Sequence, residues 1–252
     1  MKRIVIVTDC KDVAFSEMKW SIESSYDGIG WKGLSIDLVP VEEFSIANAA
    51  FLTRLTGELC GEETLIWVVI NPQKHRSDRI FGRTKKGLQF FGANTGALTW
   101  LLRDQGVEEL YRIDDPGFVT FGGKFVHSPN VAKIISGEPM STLGSEFPEE
   151  SLADFLPAPG QVVHIDNFGL LKIWGEKIDF TDGDIFKIHL NSQYVFDAKF
   201  SSRMMSNEDD EWILFSGSSL HGMPELGCVR NKTEYKKFDI GIGDHISWTR
   251  GD

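Results

Sequence analysis

The run LIWVVI at 65 to 70 constrains the fold more than any other stretch, because six consecutive apolar and mostly β-branched residues stop abruptly at Asn71-Pro72. Such a run with no polar face reads as a strand buried on both sides, which is the signature of a sheet covered by helices. The residues that follow, with Lys74, His75, Arg76, Asp78 and Arg79, read as a polar loop at the strand's end. In open α/β sheets that is where ligand crevices lie.

The surrounding sequence supplies the alternation such a sheet needs. Residues 3 to 8 and 33 to 39 read as strands, 15 to 25 and 45 to 59 as helices, with Ser45 in position to cap the second helix. A strand over 87 to 93 and a helix over 96 to 105, ending at Gly106, complete the pattern. Strand and helix in alternation predict a mostly parallel sheet flanked by helices. From 137 to 160 the texture turns to Pro, Gly, Ser and acidic residues, a linker signature closed by PAPG at 157 to 160. Beyond it QVVHIDNFG, LLKIWG, DIFKIHL, YVFDAKF and EWILFSG are short strand-like segments separated by turn residues. They predict a small all-β, barrel-like domain. The expected division is residues 1–157, an α/β domain including the linker 137–157, and residues 158–252, all β.

Composition narrows the function classes. A formal charge of −11 argues against a nucleic-acid or anionic-membrane partner, since phosphate binding needs a concentrated basic surface. Cys10, Cys60 and Cys228 are odd in number and unrelated in spacing, so neither a disulfide framework nor a zinc site is indicated, and a reduced cytoplasmic setting is expected. The apolar run after MKR ends at Asp9, too short for a signal peptide, and no run reaches transmembrane length. The six histidines show no HxH or HxxxH pair, so no metal is expected. GIG at 241 to 243 has no helix after it and reads as a turn, and GxSxG and GxxxxGK are both missing.

Two positions draw attention singly. Asp9 ends the first strand, where a carboxylate can accept both hydroxyls of a ribose; a turn or N-cap aspartate is the plainer alternative. Asn94, with Thr95 and Gly96, lies between a strand and a helix, where small residues let the backbone approach a ligand, though Asn-Thr-Gly is equally a turn with a cap.

The order of several motifs is more specific than any one of them. IVTD at 6 to 9, VPVEEFSIANAAF at 39 to 51, the strand ending in Asn71-Pro72, GANTGALT at 92 to 99, TFGGKFVHSP at 120 to 129 and IDNFG at 165 to 169 together resemble the S-adenosyl-L-methionine (SAM) hydroxide adenosyltransferases. That superfamily includes the SAM-dependent fluorinase and chlorinase. The resemblance implies an α/β domain followed by a β-barrel, a homotrimer, and SAM as substrate or ligand with no resident cofactor. It implies attack on the ribose C5′ with departure of methionine, a neutral thioether that needs no general acid.

By resemblance Asp9 is the ribose-binding aspartate, and Phe44 an aromatic beside the ligand, with core packing as its alternative. Asp166 and Phe168 match the motif that holds the methionine amino group, while the adenine-reading asparagine of that motif is Leu170 here. Ser219 and Arg230 correspond to ligand contacts near the C-terminus.

The hydroxide-transferring members activate water with an aspartate, an arginine seven residues on and a histidine in TFHG. Those places hold Asn71, Asp78 and Gly122, with Arg79 one residue past the arginine position. A positioned general base is worth ~10² to 10⁴ in rate, so the triad's replacement counts against hydrolysis by that route. For the halogenase branch the matching places are Gln73, Lys74, Gly122 and Gly123, and two glycines suggest a roomy, wet pocket. Three readings follow: a SAM-binding member with altered activity, a catalytically inactive trimeric scaffold or small-molecule sensor, or an enzyme delivering another nucleophile past Lys74 and His75.

Overall fold

The computed structural model describes residues 3–25, 34–70, 77–114, 117 and 119–251. It divides into two compact units, Met1–Leu156 and Pro157–Asp252.

The first unit contains β1 (Arg3–Thr8), α1 (Val13–Ser25), β2 (Ser35–Pro40), α2 (Ile46–Leu59), β3 (Thr64–Val69), β4 (Arg79–Thr84), β5 (Gln89–Ala93), α3 (Thr99–Gln105), β6 (Val107–Arg112), α4 (Ser128–Ile135) and the two-residue β7 (Ser145–Glu146). Its sheet runs β2-β1-β3-β5-β4-β6-β7. The pairs β1–β2, β1–β3 and β3–β5 are parallel, whereas β4–β5, β4–β6 and β6–β7 are antiparallel. The sheet is therefore mixed, not mostly parallel. The difference comes from β4 and β6, which alternate charged and apolar residues (RIFGRT, VEELYR) because they lie toward the sheet's rim. Arg79, expected in a loop, is the first residue of β4.

β1 and β3 are buried as their sequences demand. Ile4, Ile6, Leu65 and Trp67 join Met18 and Ile22 of α1 and Val131 and Ile135 of α4 in one core. Burial of side chains this size is worth roughly 1.5–3 kcal/mol each, which is what holds α1 and α4 to the sheet. Ser45 caps α2 as predicted, accepting from the Asn48 N–H at 3.2 Å. α3 starts at Thr99, three residues later than expected, because Gly96 takes φ +101° and prolongs the turn. Part of the stretch with linker composition packs on the first unit: β7 pairs with β6, and Met140 and Phe147 are buried.

The second unit holds β8 (Val162–Ile165), β9 (Leu171–Ile173), β10 (Ile185–Leu190), β11 (Gln193–Phe200), β12 (Trp212–Ser216), β13 (Pro224–Cys228) and β14 (Ile246–Arg250), ordered β14-β10-β11-β12-β13-β9-β8. This sheet is also mixed, with β11–β12 its parallel pair. Gln161, just before β8, bridges His245, just before β14. Phe186, Ile188, Phe200, Leu214 and Leu226 form its core.

Candidate functional site

In the first sheet β1 is flanked by β2 on one side and β3 on the other, so the chain reverses its winding between β1 and β3. A crevice opens at the carboxyl ends of strands at such a switch point. Thr8 and Asp9 stand there with different tasks. Thr8 is buried; its hydroxyl donates to the Val69 carbonyl at 2.8 Å and accepts from the Cys10 N–H at 3.0 Å, tying the ends of β1 and β3 together. Asp9 is half-buried and accepts from the Phe44 N–H at 3.1 Å. Burial chiefly, with the charges of Asp9 and Asp12, holds the neighbouring Cys10 thiol above the usual cysteine range, against a hydrogen bond with Thr8 that lowers it.

Phe44 is not core. The residue is 67% exposed, and its backbone sits at φ 58°, a left-handed conformation costly for a bulky residue. An aromatic kept in the open on strained backbone is the kind of feature that clusters at ligand sites. Asp9 and Phe44 are thus brought together. Asn94 is engaged elsewhere: its amide donates to the Ser151 carbonyl at 2.9 Å and accepts from the Ala153 N–H at 2.7 Å, pinning the segment before the second unit.

At the triad region Asn71, Gln73, Lys74 and His75 lie outside the described residues. Asp78 makes an ion pair with Arg112 at 3.3 Å on an exposed surface. The Arg79 guanidinium reaches Gly122, its Nη2 only 3.2 Å from where a Cβ on that glycine would stand. The space expected to be roomy is filled by this side chain. A Cβ on Gly123 would lie 2.8 Å from the Met18 sulfur, so the second glycine serves close packing with α1. Nearby, buried His127 accepts from the Trp67 indole N–H through Nδ1 at 3.1 Å, which places the proton of the neutral ring on Nε2. Burial, with the Arg79 charge, pushes its pKa down to about 3.

The second unit carries its own groove, of about 760 Å³, lined among others by Asp166, Phe168, Leu170, Lys172, Arg203 and Glu225. Asp166 organises the DNFG turn, one carboxylate oxygen accepting from the N–H groups of Phe168 at 2.9 Å and Leu170 at 3.0 Å. This presents Phe168 to solvent, 67% exposed. Leu170 is turned onto Gly227, which has no room for a side chain. Ser219 is buried and lies outside the groove lining, as does Arg230, whose guanidinium is held by Asp209 and the carbonyls of Met205 and Asn207. Lys172, Arg203 and Glu225 were not singled out by sequence, because register alone brings β9 and β13 together at Lys172 and Glu225. Burial and the Lys172 charge push His164 beside them down to about 4, against the opposing charge of Asp166.

Among the described residues no cluster of three His, Cys, Asp or Glu could hold a metal ion, and no helix is long and apolar enough to cross a membrane.

Residues 4–144 match the family model described as the SAM hydroxide adenosyltransferase N-terminal domain. The crystal structure of an uncharacterized conserved protein from Thermotoga maritima aligns with 98% of this chain and 100% of its own, with a TM-score of 0.81 and 20% identity. That of a conserved hypothetical protein from Thermus thermophilus aligns with 99% and 100%, with a TM-score of 0.73 and 16% identity. At these identities the likeness is one of fold. The search of curated proteins gave no match.

Proposed function

The chain belongs to the SAM hydroxide adenosyltransferase family, and on that premise we propose that it binds SAM or a related adenosyl compound. The observation that carries this reading is the pairing of Asp9 with Phe44 at the switch point: a carboxylate of the kind that accepts ribose hydroxyls beside an aromatic held open on strained backbone. In the second unit Asp166 and Phe168 supply a carboxylate and an exposed ring of the same character.

Cleavage at C5′ would give methionine and, with water as nucleophile, adenosine. This chain's residues would bind and orient SAM for in-line attack, which is most of what a sulfonium leaving group requires. Asn71, Asp78 and Gly122 do not supply the family's base. Asp78 faces Arg112, and Arg79 fills the space over Gly122, so turnover by the usual triad is not part of the proposal. The same filling favours a second reading, a non-catalytic member that binds an adenosyl ligand as a scaffold or sensor. A homotrimer and a cytoplasmic setting belong to the proposal too; the three free cysteines fit the latter. A barrel-like second unit is supported by the Gln161–His245 bridge between the leading ends of β8 and β14.

The test is incubation of the purified protein with SAM, with and without chloride, followed by chromatography for adenosine, 5′-chloroadenosine and methionine, with Asp9→Ala beside it. Calorimetry with SAM and adenosine accompanies it. Product lost in Asp9→Ala supports an enzyme; binding without product supports the second reading. Absence of both binding and product would sink the proposal.

A further inference from the structure

The groove of the second unit holds a buried ion pair on one side. Lys172 Nζ donates to Glu225 Oε1 at 2.6 Å, with side chains 12% and 4% exposed. Gly217 is required there, because a Cβ at that position would collide with the Glu225 carboxylate. Replacing a buried pair with well-packed apolar residues is often neutral or stabilising, so a pair kept at a groove is poorly accounted for by stability. One hydrogen bond between an ammonium with three donors and a carboxylate with several acceptor positions leaves capacity on both for a third party.

Around the pair the walls are flat and soft. Phe168 and Met205 are 67% and 60% exposed, and Met204 and Phe215 line the same space. Apolar walls with a few convergent polar groups suit a planar ring system. Leu170, just before β9, and Lys172 within it both line the groove, while Leu171 and Ile173 belong to the core. Leu170 stands where the resemblance expects a base-reading amide, and an amide offers one donor and one acceptor side by side. Lys172 and Glu225 together offer the same two functions.

The geometry points to Lys172 and Glu225 as the base-reading element of the groove, a donor and an acceptor that select a 6-aminopurine in place of the amide absent at residue 170. The Glu225 carboxylate accepts from the exocyclic amine, and the Lys172 ammonium donates to the adjacent ring nitrogen. A ring without the amine leaves an acceptor position of this nearly buried carboxylate unfilled, which is a basis for discrimination. This inference rests on the proposal that the protein takes an adenosyl ligand.

The test is titration calorimetry on the full chain with adenosine and with purine riboside, which differs by the missing 6-amino group. The wild-type protein is expected to bind purine riboside at least ~10-fold more weakly. The double variant Lys172→Met/Glu225→Leu removes both charges together, avoiding a lone buried ion, and is expected to bring the ratio close to one. Wild-type protein that binds the two nucleosides equally would overturn the inference while leaving adenosyl binding intact. Discrimination that survives in the folded double variant would also overturn it. Binding of neither nucleoside nor SAM would remove the premise, and the inference with it.

Discussion

The guanidinium of Arg79 lies over Gly122, its Nη2 3.2 Å from where that residue's Cβ would be. By the resemblance, the arginine's place is Asp78, one residue earlier, and the histidine's place is Gly122, over which Arg79 lies. A side chain at residue 122 would press on Arg79.

Gly122→His alone is accordingly expected to displace Arg79 without starting hydrolysis, so adenosine release from SAM stays at the wild-type level. Adding Asn71→Asp and Asp78→Arg should raise release by ~10² or more, the usual worth of a positioned base. Chromatographic assay of the single and triple variants decides this. Full gain from the single change, or none from the triple, would contradict it.

Asp9 and Phe44 predict opposite balances of stability and binding. Phe44→Gly relieves a left-handed backbone and should stabilise the fold by about 1 kcal/mol while weakening adenosyl binding. Asp9→Ala loses its bond to the Phe44 N–H and, on the proposed function, the ribose contact, so both quantities should fall, stability by about 1 kcal/mol. Denaturant titration and calorimetry on the two variants are the check; tight binding by Phe44→Gly would show the ring to be idle.

His127 makes stability depend on acid. Its folded pKa, about 3, lies below the unfolded 6.5, so the unfolded chain takes up the proton first. The contribution is present above pH 6.5 and is lost as pH falls toward 3, amounting to several kcal/mol at most. His164, lowered to about 4, acts in the same direction. His127→Gln keeps an acceptor for Trp67 without a titrating ring, so its denaturation midpoint should fall less steeply than wild type between pH 7 and 4. Parallel curves would refute the assignment.

Asn94→Ala removes both bonds that hold residues 151 and 153. Expected are a loss of about 1–3 kcal/mol and faster proteolytic cleavage near Ser151, with adenosyl affinity unchanged. A large loss of affinity would return Asn94 to the ligand.

The elements with a single strong signal were legible in the sequence. β1 and β3 announce themselves as apolar runs, and α2 through helical spacing with a serine cap. β4 and β6 were hidden because Arg79, Arg83, Glu108 and Glu109 break up their apolar residues, and such mixed patterns occur equally in loops. α4 was hidden because it is entered through a π-helical turn at Gly123–His127 and not through a capping residue. In the candidate site the position of Asp9 was legible, at a strand's end. The exposure of Phe44 was not, since a phenylalanine is ordinarily core, even one flanked as here by Glu43 and Ser45. Lys172 and Glu225 meet only through strand register, 53 residues apart, and nothing local in the chain marks either one.

The short bridge between Gln161 and His245 bears on how the protein meets its own kind in concentrated solution. Main-chain groups left open along a sheet's outer strand are a template on which another chain can build. Here the stretches leading into β8 and β14 bond to each other: Val162 donates to the Asp244 carbonyl at 2.8 Å, and Ile246 to that of Gly160 at 2.8 Å. At these leading ends, groups that would otherwise be open to a stranger's strand are spent within the fold.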